Sequence, residues 1–174
     1  MWLIPKNVLE KAGYWDERLS FENDLDFSIR VLLAASGVRF ASNAKLYYRK
    51  GVLASLSMSF SKKAFESVYL TTCLAKENLL VREDSPRIRR LLANRFQGWV
   101  YKMYPTDKEM AEKAQAAADA LGGSVLKPSG GLLFRILNTF LPWKTIRVMQ
   151  KWGYRTWIWQ LVLKWKEDRR LGAI

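Results

Sequence analysis

Apolar side chains recur every three or four residues between Ser61 and Leu121, which is the spacing of one face of an α-helix. In the first segment this stripe consists of Phe65, Val68, Tyr69, Thr72, Ala75 and Leu79. Ser85-Pro86 is typical of a helix start. The inner side of that second helix carries Ile88, Leu91, Leu92, Phe96, Trp99, Val100 and Met103. After Pro105, a capping box of Thr106 and Glu109 begins an Ala-rich helix that ends at Gly122-Gly123. The pattern predicts helices that pack on one another through a shared core.

Composition narrows the chemistry that the chain can perform. There is no histidine and only one cysteine, Cys73, so Ser-His-Asp catalysis, His-ligated metal sites and an internal disulfide framework are excluded. A single thiol in an apolar helical pattern fits a buried structural cysteine in a reducing compartment. The net charge of +13 predicts an anionic partner. Four arginines of the second helix form either a solvated face or an anion-binding patch: Arg87, Arg89, Arg90 and Arg95.

The stretch from Gly13 to Arg30 is acidic in an otherwise basic chain. It holds five acids, namely Asp16, Glu17, Glu22, Asp24 and Asp26. The last of these acids lead into a predicted helix over 23–36, with Asn23 as N-cap and Asp26 three residues on as a variant capping box. Phe27, Val31, Ala34 and Ala35 form its apolar face, and Gly37 ends it. The pattern alone is also explained by a simpler alternative, in which Asn23, Asp24 and Asp26 only cap the helix and complement its dipole.

The same stretch resembles the second half of the catalytic domain of family 2 glycosyltransferases. The matching residues are Val8-Leu9-Glu10-Lys11-Ala12-Gly13, then Trp15-Asp16-Glu17, then Asn23-Asp24, Asp26, Phe27 and Arg30, followed by Gly37-Val38-Arg39-Phe40 and Ala44-Lys45-Leu46-Tyr47-Tyr48-Arg49. The similarity covers residues 1–58 in motif detail. One position departs from the family pattern, because Asn23 stands where the first acid of the family's acid pair is expected.

The resemblance implies an α+β, mostly helical chain. Residues 1–58 would be the C-terminal, acceptor-side part of a GT-A glycosyltransferase domain, residues 59–126 a helical extension, and residues 127–174 a basic, Trp-rich helical tail. Two short strands are predicted in the first part, at Val38–Phe40 and Lys45–Arg49. The nucleotide-binding half that precedes this region in the family has no counterpart in the sequence, so the isolated chain is expected to be inactive.

The resemblance also assigns roles to individual residues. Asp24 would be the general base that removes a proton from a hydroxyl of a carbohydrate or lipid-linked acceptor, in an inverting transfer from a nucleotide sugar. Trp15, Asp16, Asn23 and Asp26 would bind or orient the acceptor, although Trp15 could instead anchor the loop on the core. Arg49 and Lys50 could donate to the diphosphate of a nucleotide sugar, or form a solvated basic loop. The expected products are cell-surface polysaccharides or glycoconjugates.

Asp24-Leu25-Asp26 matches the Asp-x-Asp spelling by which such enzymes hold a metal ion. Side chains two residues apart on a helix point about 200° apart, so these two carboxylates cannot share one ion. We therefore expect no metal site in this chain. A divalent ion, Mg²⁺ or Mn²⁺, is expected in the intact enzyme, held mainly by the missing half.

Residues 127–174 differ from the rest of the chain in composition. They hold five of the eight tryptophans, and ten Lys and Arg against two acids. Tryptophan interleaved with cations is typical of a helix at an anionic membrane surface, and the alternative is a helix pair packed on the rest of the protein. No apolar run reaches the length of a membrane span. We expect a cytoplasmic protein, peripheral on the inner face of the membrane, with nucleic acid an improbable partner. The competing function is a non-catalytic basic helical module that binds such a membrane or nucleic acid.

Overall fold

The computed structural model describes residues 2–47 and 61–153. Within these ranges the regular secondary structure is entirely helical. The helices, in chain order, are α1 (Lys6–Ala12), α2 (Asn23–Ala34), α3 (Lys62–Arg82), α4 (Pro86–Met103), α5 (Lys108–Ala120), α6 (Leu132–Leu137) and α7 (Trp143–Gly153).

The expected α+β class, a GT-A fragment with short strands, is wrong for the described part of the chain. Neither Val38–Phe40 nor residues 45–47 form a strand, and the last two residues of the second predicted strand lie outside the described ranges. Val38, Phe40 and Tyr47 are exposed. A strand needs a neighbour to pair its backbone N–H and C=O groups and an apolar face to bury. Residues 2–47 and 61–153 provide neither for these segments.

The main core lies between α3, α4 and α5, as the apolar stripes predict, except that Leu91 is 50% exposed and not on the inner side of α4. Phe65 and Val68 of α3 are buried against Leu92 and Phe96 of α4 in one cluster, which Ala114 and other small residues of α5 complete. Alanines along α5 let its backbone approach α4 closely, and these two helices share the most extensive contact. Hydrophobic burial on this scale is the dominant favourable term in folding.

Side-chain caps fix the starts of the three core helices. Ser61 accepts a hydrogen bond from the Ala64 amide, and Ser85 accepts one from the Ile88 amide directly before Pro86 at the first helical turn. The predicted capping box at Thr106 and Glu109 is wrong by one residue. Asp107 is the N-cap and accepts from the Met110 amide at 3.0 Å, so the acid rather than the hydroxyl satisfies an orphan N–H group.

Helices α1 and α2 form a smaller cluster that is joined to the main core through the α2–α3 contact. Ala12, Phe27 and Val31 are buried at its centre, which confirms the predicted apolar face of α2. Helix α2 ends at Ala34, two residues before the predicted end. Gly13 ends α1 as predicted, with a positive φ of 75° that a residue without Cβ adopts at little cost.

The segment after α5 returns to α4. Trp143, at the start of α7, makes edge contacts with the rings of Tyr101 and Tyr104, at centroid distances of 4.9 and 5.4 Å. Phe134 of α6 and Ile146 of α7 are fully buried. In residues 2–47 and 61–153, none of the helices combines the length and the hydrophobicity that a membrane crossing requires.

Candidate functional site at the start of α2

Asp16 is held by its neighbour two residues along the chain. The guanidinium of Arg18 donates to both carboxylate oxygens, with Nη2 2.6 Å from Oδ2, and the Arg18 amide donates to Oδ1 at 3.0 Å. These hydrogen bonds lower the pKa of Asp16 to about 2. Asp16 thus closes a local turn, in which the Leu19 amide also donates to the Asp16 carbonyl.

Phe21 and Glu22 attach the loop to the core helices. The Phe21 amide donates to the Ser67 hydroxyl at 2.9 Å, and that hydroxyl donates back to the Phe21 carbonyl at 2.8 Å. The Phe21 ring meets Trp99 edge to face. Glu22 adopts the left-handed conformation, with φ at 53°, and its carboxylate accepts a hydrogen bond from Arg95 of α4. The loop therefore enters α2 from a fixed position on α3 and α4.

Asp26 is part of a buried latch rather than a cap. Its side chain is 3% exposed and accepts from Arg30 Nε at 3.0 Å and Nη2 at 2.9 Å. The same guanidinium donates to the Ala12 carbonyl and, at 2.8 Å, to the Tyr14 carbonyl. Asp26 thus orients Arg30, and Arg30 ties the end of α1 to α2. The variant capping box predicted for Asn23 and Asp26 is wrong, because Asp26 is turned inward and Glu22, not Asn23, occupies the N-cap position.

Asn23 and Asp24 begin α2 and are exposed. Among the described residues the Asp24 side chain has no hydrogen-bond partner and no ion pair, and the same holds for the Glu17 side chain. The free N–H groups of a helix start carry a partial positive charge, which favours a carboxylate in the first turn. Asp24 is therefore an accessible anion on a backbone that Arg30, Ser67 and Arg95 hold in place.

Trp15 lies flat on Phe27 of α2, with ring centroids 4.3 Å apart and planes 15° from parallel. Stacking fixes one face of the indole, yet 49% of the residue stays exposed. Trp15 thus anchors the loop and still presents apolar surface to solvent. Two clefts lined by described residues lie elsewhere, one between Pro86 and Val125 and one between Lys62 and Glu109, and neither includes Asp24 or Trp15.

The site does not fit the metal ion that the resemblance implies for the intact enzyme. Asp26 is buried and committed to Arg30, whereas Asp24 is exposed, so the two carboxylates do not converge. No group of three or more acidic or cysteine side chains in residues 2–47 and 61–153 could hold an ion. Arg49 and Lys50, which we expect to contact a diphosphate, lie outside the described residues.

Sequence reasoning missed the groups that hold the loop from a distance. Ser67 stands 46 residues from Phe21, and Arg95 stands 73 residues from Glu22. Ser67 lies within a predicted helix and Arg95 on a basic helix, and nothing in the sequence around either residue indicates these contacts. The Asp26–Arg30 pair does carry one, because an acid four residues before an arginine is a helical ion-pair spacing.

Comparisons with protein-family models, with curated proteins and with solved structures found no match to this chain. Its function is therefore inferred from the arrangement of its own residues and from the motif in residues 8–30.

Proposed function

We propose that residues 13–30 form the acceptor side of an inverting glycosyltransferase, with Asp24 as its general base. One observation carries this proposal. Of the five acids in the stretch, three are held by arginines, whereas Asp24 is exposed and lacks an ion pair among the described residues. It also occupies the position at which the resembled motif has its base. Glu17, the other unpaired acid of the stretch, lies outside that position.

The chemistry needs one carboxylate at the acceptor. Asp24 accepts the proton of an acceptor hydroxyl while that oxygen forms a bond to the anomeric carbon of a nucleotide sugar. The bond from the anomeric carbon to the diphosphate breaks, and the nucleoside diphosphate leaves with the electron pair on the opposite face, so the centre inverts. Precise placement of the acceptor hydroxyl against Asp24 supplies much of the rate.

The neighbouring residues place Asp24 rather than react. The Asp26–Arg30 latch and the Ser67 contact fix the start of α2 relative to the Trp15 loop. The exposed surface of Trp15 suits the apolar face of a sugar ring, and Asn23 beside Asp24 offers an amide to a hydroxyl. In this proposal the nucleotide sugar and a divalent ion are bound by a nucleotide-binding half, which belongs either to the same reading frame or to another polypeptide. We place the reaction in the cytoplasm, which a single cysteine fits.

The test compares Asp24→Asn with Glu17→Gln, which removes the other exposed acid of the stretch that has no ion pair within residues 2–47 and 61–153. Each variant replaces the wild-type chain in its source organism, and extracts that contain membranes receive UDP-, GDP- or dTDP-linked radiolabelled hexoses. We expect Asp24→Asn to lower sugar transfer at least about 100-fold, the usual contribution of a general base, and Glu17→Gln to leave it unchanged.

The two variants also separate this proposal from its competitor, a non-catalytic basic helical module. Immunoblots must show equal amounts of both proteins. Equal transfer by Asp24→Asn and Glu17→Gln extracts would refute the assignment of Asp24. Transfer that is unaffected by deleting the whole chain would refute the enzymatic proposal and leave the binding module.

A further inference from the structure

Helices α6 and α7 each pack one side against the protein, so their opposite sides face outward. Phe134 and Ile146 are fully buried, and Trp143 packs on Tyr101 of α4 and on Tyr104 directly after that helix. The guanidinium of Arg147 lies 4.7 Å from the centre of the Phe134 ring. It also donates to the Ser129 carbonyl at 2.7 Å. One side of each helix is thus fixed against protein.

The opposite side of α7 is apolar at its centre and cationic at its edge. Val148 and Trp152, four residues apart, share a face with Met149, and Trp152 is 72% exposed. Lys144 and Lys151, seven residues apart, are exposed beside this stripe. In helices that lie on membranes, tryptophan rings enter the boundary between headgroups and acyl chains, and lysine side chains reach past them to the headgroups. Helix α7 presents both kinds of side chain next to each other.

Helix α6 repeats the arrangement on a shorter scale. Its exposed apolar side chains, with Phe140 just after the helix, are Leu132, Leu133, Ile136 and Phe140. Ile136 lies three or four residues from Leu132 and Leu133 within the helix, so these three share one face. Phe140 is 82% exposed, and Arg135 is exposed on the same helix. Within the described part of the chain, each of these four large apolar side chains is more than half exposed.

The charge of this segment selects the partner. Residues 127–153 contain five Lys and Arg and no acid. Lys127, Lys144 and Lys151 have no ion pair among the described residues. An acid-free cationic surface repels a second copy of itself, and it is complementary to a lipid surface of negative potential. The exposed residues are aliphatic as much as aromatic, which suits acyl chains better than the stacked bases of a nucleic acid.

We propose that α6 and α7 dock the protein on an anionic phospholipid surface, inserting the exposed apolar side chains among the headgroups. The proposal is independent of sugar transfer and of Asp24. It predicts two separable contributions: an apolar one from Met149 and Trp152, and an electrostatic one from Lys144 and Lys151. Only the second falls as ionic strength rises.

The experiment is co-sedimentation of the full chain with vesicles of phosphatidylcholine, with and without phosphatidylglycerol. We expect binding only where phosphatidylglycerol is present. A contribution of about 1 kcal/mol per cation corresponds to about a fivefold change in partitioning, so Lys144→Ala/Lys151→Ala should weaken binding roughly 25-fold. Met149→Ser/Trp152→Ser should weaken it at least about tenfold, because two large side chains leave the lipid boundary.

Control variants on α3 remove either the same number of cations as the α7 lysine variant or an exposed apolar side chain. Lys63→Ala/Arg82→Ala removes two exposed cations from α3, and Val81→Ser removes an exposed apolar side chain from the same helix. Both should bind like wild type. If the α7 variants and these controls bind alike, the docking face is overturned. It is overturned as well by equal binding to neutral vesicles, by binding to single-stranded or duplex DNA but not to vesicles, or by a dimer that Met149→Ser/Trp152→Ser dissociates in ultracentrifugation.

Discussion

The Asp26–Arg30 latch gives the sharpest test of how the acidic loop is held. Asp26 is 2% exposed, and Arg30 supplies hydrogen bonds to its carboxylate and to the carbonyls of Ala12 and Tyr14. Replacement of Arg30 by methionine keeps most of the side-chain volume. It also leaves a buried carboxylate without its cation and two carbonyls without their donor.

The expected cost of Arg30→Met is large. Removal of one partner of a buried ion pair costs about 3–5 kcal/mol, which approaches the whole stability of many small proteins. The same substitution at Arg87 is a matched control. Arg87 pairs with Glu83 at the same i, i+4 spacing, but its side chain is 72% exposed, so the loss should be about 0.5 kcal/mol or less.

The assay is urea unfolding at neutral pH, followed by circular dichroism, with hydrogen exchange of the α2 amides to detect a local loss. The double variant Asp26→Leu/Arg30→Met tests the cause. It removes both charges, so it should be more stable than Arg30→Met alone. An Arg30→Met protein within about 0.5 kcal/mol of wild type, in both global unfolding and α2 exchange, would refute the latch.

Two further predictions concern the same loop. Ser67→Ala should cost about 1–3 kcal/mol in urea unfolding, because the Phe21 amide and carbonyl both lose their partner, and a cost below about 0.5 kcal/mol would contradict this role of Ser67. The Asp16–Arg18 pair should stabilise the folded protein only where Asp16 is ionised. The pKa of Asp16 in the folded protein is about 2, below its ordinary value of 3.8, so the stabilisation is present above about pH 4 and is lost as the pH falls toward 2. Because Arg18 is 66% exposed, Asp16→Asn should cost no more than about 1 kcal/mol in urea unfolding near pH 6 and clearly less near pH 2, where about half of the Asp16 carboxylates are protonated, and a cost that is independent of pH would contradict the assignment.

Local chemistry made much of the fold predictable. Ser61 and Ser85 begin helices because a hydroxyl can accept from an amide three residues on, and Gly13 ends one because it tolerates a positive φ. The stripe through Phe65 and Phe96 likewise predicts the side of each helix that enters the core. The expectation failed at Val38–Phe40, where apolar and aromatic residues suggested a strand. A strand depends on a partner elsewhere in the chain, and a local pattern cannot supply one.

In the candidate site, too, local features could be predicted from the sequence and contacts between distant residues could not. By itself the sequence determined that five acids cluster before a helix and that the tail is cationic and rich in tryptophan. Only the tertiary structure decided that Asp26 turns inward while Asp24 stays at the surface, and that Ser67 and Arg95 hold the loop. The reason is physical. A carboxylate's environment is set by side chains that are distant in sequence, so identical residue types two positions apart take opposite roles once the helix packs.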